Sequence, residues 1–351
     1  MKIAVFTRRQ DLPGGAEESM EALKQHLEQE HEVQLFSLID EEASGSKAFH
    51  LPLPRQLKIL AGFREGLSRK EELEAFDPDL ILAQHELAYL GAKYVEENDA
   101  DMIYFLHDYE NVYDERFYGR YLPDSIANYF TSFITEKMTG KIIEASEKIV
   151  ANSDYVAKRY EEFYGIDTET VYPFVDTTQY ETEREDAESI LHVNPLEEKG
   201  ILRTLEIAEK MPEKKFTVLG TPKKKRIAAK IHEAENVENI EYVENMKEIY
   251  SRTKIALMPS KWEEPFGRIP VEAGASGIPT IATRKGGLPE SVGIEELTVE
   301  DSTQAFIDKI EEVEASYEEY SEKARENAEE KRMEKQAGKI ENILNKVFEK
   351  V

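Results

Sequence analysis

The chain contains no cysteine. That absence excludes disulfides, thiolate metal sites and a cysteine nucleophile. A surplus of basic residues is missing as well. The formal net charge is −27, so the chain as a whole repels nucleic-acid phosphate, and nucleic-acid binding would need a local basic patch. No apolar run approaches the length of a membrane span. The sequence starts "MKIAVFTRRQ", a strand-like run without the apolar core of a signal peptide, so a cytoplasmic protein is expected. The acidity also suits a high-salt cytoplasm, although lysines are plentiful. No G-x-G-x-x-G follows "KIAVF", which argues against a nicotinamide dehydrogenase.

What is present is enough apolar material for two cores. The chain has 351 residues, of which 40% are hydrophobic and 33% charged, a length that suggests two domains. In the first half, "KIAVF", "EVQLFSL", "LILAQ", "MIYFL" and "KIVANS" read as strands, and helical patterns such as "AEESMEALKQHLEQE" lie between them. The second half repeats the scheme with "SILHVN", "KFTVLG", "NIEYVE", "KIALMPS" and "IPTIAT". Strands alternating with helices predict parallel sheets covered on both faces. The expectation is therefore α/β, with two Rossmann-like doubly wound domains facing across a cleft. A seam is expected between about Tyr164 and Thr177, where "YPFVDTTQY" interrupts the pattern. The resulting domains are 1–168 and 169–333, and the end of a long charged pattern, about 334–351, is expected to pack back on the first.

The stretch "WEEPFGRIPVEAGASGIPTIATRKGG", from Trp262 to Gly287, carries the densest chemistry. "KIALMPS" reads as a strand, "KWEEPFG" as the loop at its carboxyl end, and "RIPVEAGASG" as a helix with Pro270 in its first turn. Glu264 then lies in the loop and Glu272 in the first or second turn. Eight residues return a side chain about 80° off its starting face, so the two acids do not share one helical face. Gly267 permits close backbone approach, and a helix start suits a phosphate. A carboxylate there can accept hydrogen bonds from sugar hydroxyls or stabilise positive charge on a sugar carbon. It can equally complement the helix dipole.

Taken together, these residues strongly resemble family 4 glycosyltransferases, retaining enzymes of the GT-B fold. Glu264, Phe266, Gly267 and Glu272 match the family's EX7E motif, two glutamates separated by seven residues. "EAGASGIPTIATRKGGLPE" matches the segment that follows, "NIEYVENMKEIYSRTKIALMPS" the segment upstream, and "PGGAE" at Pro13–Glu17 the N-terminal turn. The resemblance is weakest between Leu51 and Leu80. It implies transfer of a sugar from a nucleotide diphosphate sugar, of the UDP or GDP type, to a hydroxyl acceptor such as a glycan or lipid-linked sugar. Glu272 would then accept from the donor's ribose hydroxyls, and Glu264 would contact the transferred sugar. Backbone amides of Phe266, Gly267 and Arg268 would approach the sugar and diphosphate, and Gly14 and Gly15 would reach the diphosphate from the other domain. Lys199 in "HVNPLEEKG" matches a lysine that neutralises the leaving diphosphate. Five residues earlier the family places an arginine, and this chain has Asn194, for which Arg268 is a candidate substitute.

His107, at the end of "MIYFL", matches a histidine that faces the transferred sugar, and the resemblance implies no metal. The aromatic-rich "YENVYDERFYGRYLPDSIANYFTSF" reads equally as a helix-pair core or as a wall that stacks on acceptor sugars. The basic, amphipathic residues 54–70 suit a solvated surface helix, or a peripheral contact with a membrane carrying a lipid-linked acceptor. "PKKKR" at Pro222–Arg226 reads as a solvated helix start. Two other classes share these features: a sugar-nucleotide epimerase or hydrolase, and a non-catalytic nucleotide-sugar-binding subunit. Free nucleotide with an altered sugar, formed without acceptor, would mark the first. Binding without turnover would mark the second.

Overall fold

In a computed structural model the described residues are 1–9, 15–39, 67–109, 134, 136–184 and 186–349. Gly14, residues 54–66 of the basic segment and nearly all of the aromatic-rich stretch lie outside them. The chain forms two compact units, Met1–Phe174 with Gln336–Val351, and Val175–Lys335.

The N-terminal unit runs β1 (Lys2–Arg9), α1 (Gly15–Leu27), β2 (Glu32–Ile39), α2 (Lys70–Phe76), β3 (Leu80–Gln84), α3 (Ala88–Glu97), β4 (Asp101–Leu106), β5 (Lys148–Ala151), α4 (Asp154–Tyr164) and β6 (Glu169–Thr170). Its strands pair in the order β2-β1-β3-β4-β5-β6, and every ladder is parallel. Parallel strands covered on both faces must be apolar throughout. Ile3, Ala4, Val5 and Phe6 in β1 and Leu80 to Ala83 in β3 are accordingly fully buried. Local signals set the ends of α4. Ser153 Oγ accepts from the Val156 amide at 3.0 Å, and Gly165 closes the helix at φ +67°. Of the basic segment, Leu67–Arg69 forms a 3-10 turn leading into α2.

The second unit runs β7 (Ser189–Val193), α5 (Ile201–Lys210), β8 (Phe216–Leu219), α6 (Lys225–Glu233), β9 (Val237–Ile240), α7 (Lys247–Tyr250), β10 (Thr253–Met258), α8 (Ile269–Ala275), β11 (Thr280–Thr283), α9 (Leu288–Val292), β12 (Thr298–Val299), α10 (Thr303–Ala315) and α11 (Tyr317–Lys331). The sheet order is β12-β11-β10-β7-β8-β9, again all parallel. The strand expected at "NIEYVE" lies two residues earlier, at Val237–Ile240. There the Asn239 amide donates to the Val218 and Gly220 carbonyls and holds the edge in register. The long charged C-terminal pattern resolves into three helices, α10, α11 and α12 (Met333–Phe348). From Gln336 onward α12 belongs to the N-terminal unit, where Gln336 Oε1 accepts from the Tyr172 amide at 3.2 Å and Glu341 pairs with His26 at 2.7 Å. "PKKKR" leads into α6, and Lys224 and Arg226 pair with Glu197 at 3.0 and 2.5 Å. None of the described helices is long and apolar enough to cross a membrane.

Helices α8 and α11 meet backbone to backbone. A Cβ on Gly274 would sit 2.6 Å from the Ala324 carbonyl oxygen and 3.2 Å from Ala328 Cβ. Gly274→Ala must therefore push α11 away from the helix that carries Glu272. The expected cost is on the order of 1–3 kcal/mol, as for other overpacked sites. Chemical denaturation measures it, and a variant as stable as the parent would contradict this contact.

Candidate functional site

The second sheet has one point where the chain changes direction. From β7 it winds outward through β8 to β9, then returns to place β10 on the other side of β7. The carboxyl ends of β7 and β10 thus flank a topological switch point, where open α/β sheets bind ligands. The two loops leaving those ends, residues 194–200 and 259–268, hold most of the residues singled out in the sequence.

Glycines bring the loops together. Gly200 adopts φ +84°, and a Cβ there would lie 1.8 Å from the Pro259 carbonyl oxygen, so no other residue fits. The amides of Lys261 and Trp262 donate to the Glu198 carbonyl at 2.8 and 3.1 Å. A third segment closes from the end of β11. The Gly287 amide donates to the Glu264 carbonyl at 2.7 Å. A Cβ on Gly286 or Gly287 would come within 2.3 Å of the Glu264 oxygen or 2.2 Å of the Pro265 oxygen.

On this scaffold Lys199 and Glu264 meet directly. Lys199 Nζ donates to both carboxylate oxygens, at 2.6 and 2.7 Å, and Ser260 Oγ lies 3.2 Å from Oε1. Glu264 is only 5% exposed. Glu272, 7% exposed, is held from two other sides. Arg268 Nε lies 3.2 Å from its Oε1, and the Tyr250 hydroxyl donates to its Oε2 at 3.3 Å. Arg268 Nη2 also donates to the Tyr180 hydroxyl at 3.2 Å. Arg268 is thus committed to the Glu272 side. Tyr250 is fully buried, and burial pushes its phenol well above the ordinary range, so it stays a donor.

The Phe266 side chain is part of the core, which leaves its backbone as the only group able to face a ligand. Gly267 adopts φ +87°, and its carbonyl accepts from Ser291 Oγ. Asn194 adopts φ +68°, its amide bonded to the Leu219 carbonyl at 2.8 Å. Asparagine tolerates this left-handed turn and arginine does so less readily, which gives a local reason for the departure from the family pattern.

Gly15 and His107 belong to the N-terminal unit, where Gly15 opens α1. His107 follows β4. Its ring stacks on Phe105 and lies 6.1 Å from the His85 ring, and its carbonyl accepts from the Asn152 amide at 2.9 Å. Burial lowers its pKa to about 4, and Nε2 is buried with no hydrogen-bond partner. Sequence reasoning missed Tyr250, Tyr180 and Ser260. Nothing in the polar stretches around the two tyrosines marks their hydroxyls, and only the position of Ser260 at the end of "KIALMPS" hints at its place.

The architecture described here is GT-B. Sucrose-phosphate synthase from Thermosynechococcus elongatus superposes over 100% of both chains, with a TM-score of 0.79 at 16% identity. Anabaena HepE in complex with UDP-glucose covers 99% of this chain and 100% of its own, with a TM-score of 0.70 at 17% identity. Residues 13–179 match the family described as Glycosyltransferase Family 4, and residues 176–331 match Glycosyl transferases group 1. The two matches run without a gap through the chain from residue 13 to 331, and the chain is a homologue of the GT-B glycosyltransferases. Spore coat protein SA of Bacillus subtilis is 24% identical over 333 residues, 83% of each chain. D-inositol 3-phosphate glycosyltransferase 2 of Catenulispora acidiphila is 28% identical over 194 residues, and the match spans 45% of each chain, less than half of that relative's length.

His192, on β7 one turn of loop from Lys199, offers a test of burial at the site. It is 1% exposed and Nδ1 bonds Thr204 Oγ1 at 2.8 Å. Burial lowers its pKa from 6.5 to about 4. Between those values the unfolded chain binds a proton that the folded chain refuses. The stability this residue contributes is complete above pH 6.5 and falls as the pH drops towards 4. At pH 5 the expected loss is roughly 2 kcal/mol. Urea unfolding at pH 7 and pH 5 should show His192→Gln losing less stability than the parent. Equal losses would contradict the assignment.

Proposed function

We propose that the chain is a retaining glycosyltransferase that moves a sugar from a nucleoside diphosphate sugar to a hydroxyl of a glycan or lipid-linked acceptor. One observation carries the reading. At the switch point of the second sheet, two buried glutamates are neutralised separately, Glu264 by Lys199 and Glu272 by Arg268. Their side-chain oxygens can accept hydrogen bonds, Glu264 from the glycine-containing loop and Glu272 from helix α8, which follows it. A donor taken at two points needs that arrangement. The HepE complex, which carries UDP-glucose, supports a donor of the UDP type, and GDP sugars are the other class to try.

In this mechanism Glu272 accepts from the ribose hydroxyls and Glu264 from hydroxyls of the transferred sugar. Lys199, released from part of its contact with Glu264, turns to the diphosphate. Breaking the anomeric bond leaves negative charge on the diphosphate, and Lys199 with the backbone amides of Phe266, Gly267 and Arg268 stabilises it. Asn194 adds no charge there, so Lys199 carries more of the burden than it would beside an arginine. Retention follows from front-face attack, with the leaving phosphate oxygen taking the acceptor's proton. The proposal assigns no metal to these steps. Contact of residues 54–70 with an anionic membrane belongs to it only for a lipid-linked acceptor.

A thermal-shift panel of UDP-, GDP- and ADP-sugars tests the reading first, since a bound donor raises the melting temperature by mass action. Glu272→Ala should weaken nucleoside diphosphate binding about 10- to 100-fold, the loss of hydrogen bonds to a charged group. Isothermal titration measures this, and unchanged affinity removes Glu272 from the site. Lys199→Ala should lower kcat roughly 100-fold and raise KM much less, because its charge matters most as the leaving group gains charge. A higher KM with kcat intact would make Lys199 an anchor only.

A further inference from the structure

Glu272 has a second partner whose place in the fold is unexpected. Tyr250 ends the four-residue helix α7, ahead of β10, and it packs with Leu191, Leu219, Ile249, Ala256, Ala273 and Ile278 in an apolar cluster. A tyrosine in that setting could be a phenylalanine for packing purposes. Its hydroxyl instead reaches Glu272 Oε2 at 3.3 Å, whereas Arg268 Nε lies 3.2 Å from Oε1. Arg268 is steadied in turn by the Tyr180 hydroxyl, and the Tyr180 and Tyr250 rings meet edge to face with centroids 6.2 Å apart. The four side chains form a closed ring of contacts: Tyr180 to Arg268, Arg268 to Glu272, Glu272 to Tyr250, and Tyr250 to Tyr180.

The arrangement has a definite physical effect. A glutamate has three side-chain torsions, and fixing them on binding costs affinity. With one oxygen held by a guanidinium and the other by a phenol, those torsions are set before any ligand arrives. A carboxylate oxygen can accept more than one hydrogen bond. Two neighbouring hydroxyls, presented as in a ribose ring, match two oxygens held apart in this way.

We propose that Tyr250 is a positioning residue that, together with the Tyr180–Arg268 pair, presets the Glu272 carboxylate to recognise the vicinal hydroxyls of a ribonucleotide. The inference rests on the reading of Glu272 as the ribose acceptor. It adds that discrimination between ribose and deoxyribose depends on a buried phenol that never touches the ligand.

The test is the ratio of affinities for UDP and 2′-deoxy-UDP, or for GDP and 2′-deoxy-GDP if GDP is what binds, measured by calorimetry on the full chain. Tyr250→Phe keeps the ring and its packing and removes only the hydroxyl. It should weaken binding of the ribonucleotide about threefold to tenfold, the range for one hydrogen bond, and leave the deoxynucleotide nearly unchanged. The ratio should therefore shrink. Tyr180→Phe, at a half-buried position, should shrink it in the same direction by less. A merely structural loss would weaken both ligands alike and leave the ratio intact, and that result overturns the proposal even if the variant melts earlier. Glu272→Ala separates the two readings. If it collapses the ratio while Tyr250→Phe does not, only the role of Tyr250 falls. If it leaves the ratio unchanged, or if no nucleoside diphosphate binds the parent, the ribose reading itself fails and this inference fails with it.

Discussion

A carboxylate taken out of water needs a cation or donors beside it, because leaving a buried charge unpaired costs several kcal/mol. Glu264 meets that requirement through Lys199, and much of the second unit's loop architecture follows from it. Lys199 stands at the end of one strand's loop and Glu264 within another's, so the two loops must approach to hydrogen-bonding distance. Such an approach is possible only where side chains are absent. Gly200 clears the Pro259 carbonyl, and Gly286 and Gly287 clear the Glu264–Pro265 backbone. Lose a glycine and the loops separate, and the acid is then buried without its partner. The glycines and the ion pair therefore form a single unit of structure although they are far apart in sequence.

Rigidity at this point comes from below. The strands that deliver the loops are buried nearly throughout, with Leu191 and Leu257 on β7 and β10 almost wholly removed from water. Sites on the ends of packed strands hold their geometry better than sites on free loops. Helix α8, which carries Glu272, is short, but Gly274 lets α11 lie against it and Ser276 Oγ is bonded to the Tyr180 carbonyl at 2.7 Å. The two glutamates are fixed by different neighbours, which suits groups that contact different parts of one ligand.

Much of this was legible in the sequence, for identifiable reasons. Long strands such as "KIAVF" and "LILAQ" show as unbroken apolar runs because both faces are covered. The two-residue edge strands β6 and β12 are too short to leave a periodic trace, and β9 is half exposed, so its position read two residues late. Glu264, Gly267 and Glu272 stand out through their spacing around a glycine turn. The partnership of Lys199 with Glu264 does not, since 65 residues separate them and only the sheet order brings them together. The sequence offers Arg268 as a substitute cation for position 194, and in the fold its guanidinium contacts Glu272 and Tyr180. Tyr250 is hidden for a different reason: its apolar cluster forms only in the fold, and nothing in "KEIYSRT" reports what its hydroxyl touches.

The return of α12 to the first unit bears on how the chain folds during synthesis. Residues 175–335 form one uninterrupted segment, whereas the N-terminal unit is built from residues 1–174 and, after that long interval, from residues 336–351. Ile340, Ile343, Leu344 and Val347 are buried, so the first unit's core lacks a piece until α12 leaves the ribosome. The second unit can close on itself earlier, although it starts later. The usual N-terminal-first order of domain folding is then reversed at its final step. Joining the ends of the first unit also requires closing a loop of the whole second unit, a contact of long sequence separation that forms more cheaply once that loop is already compact.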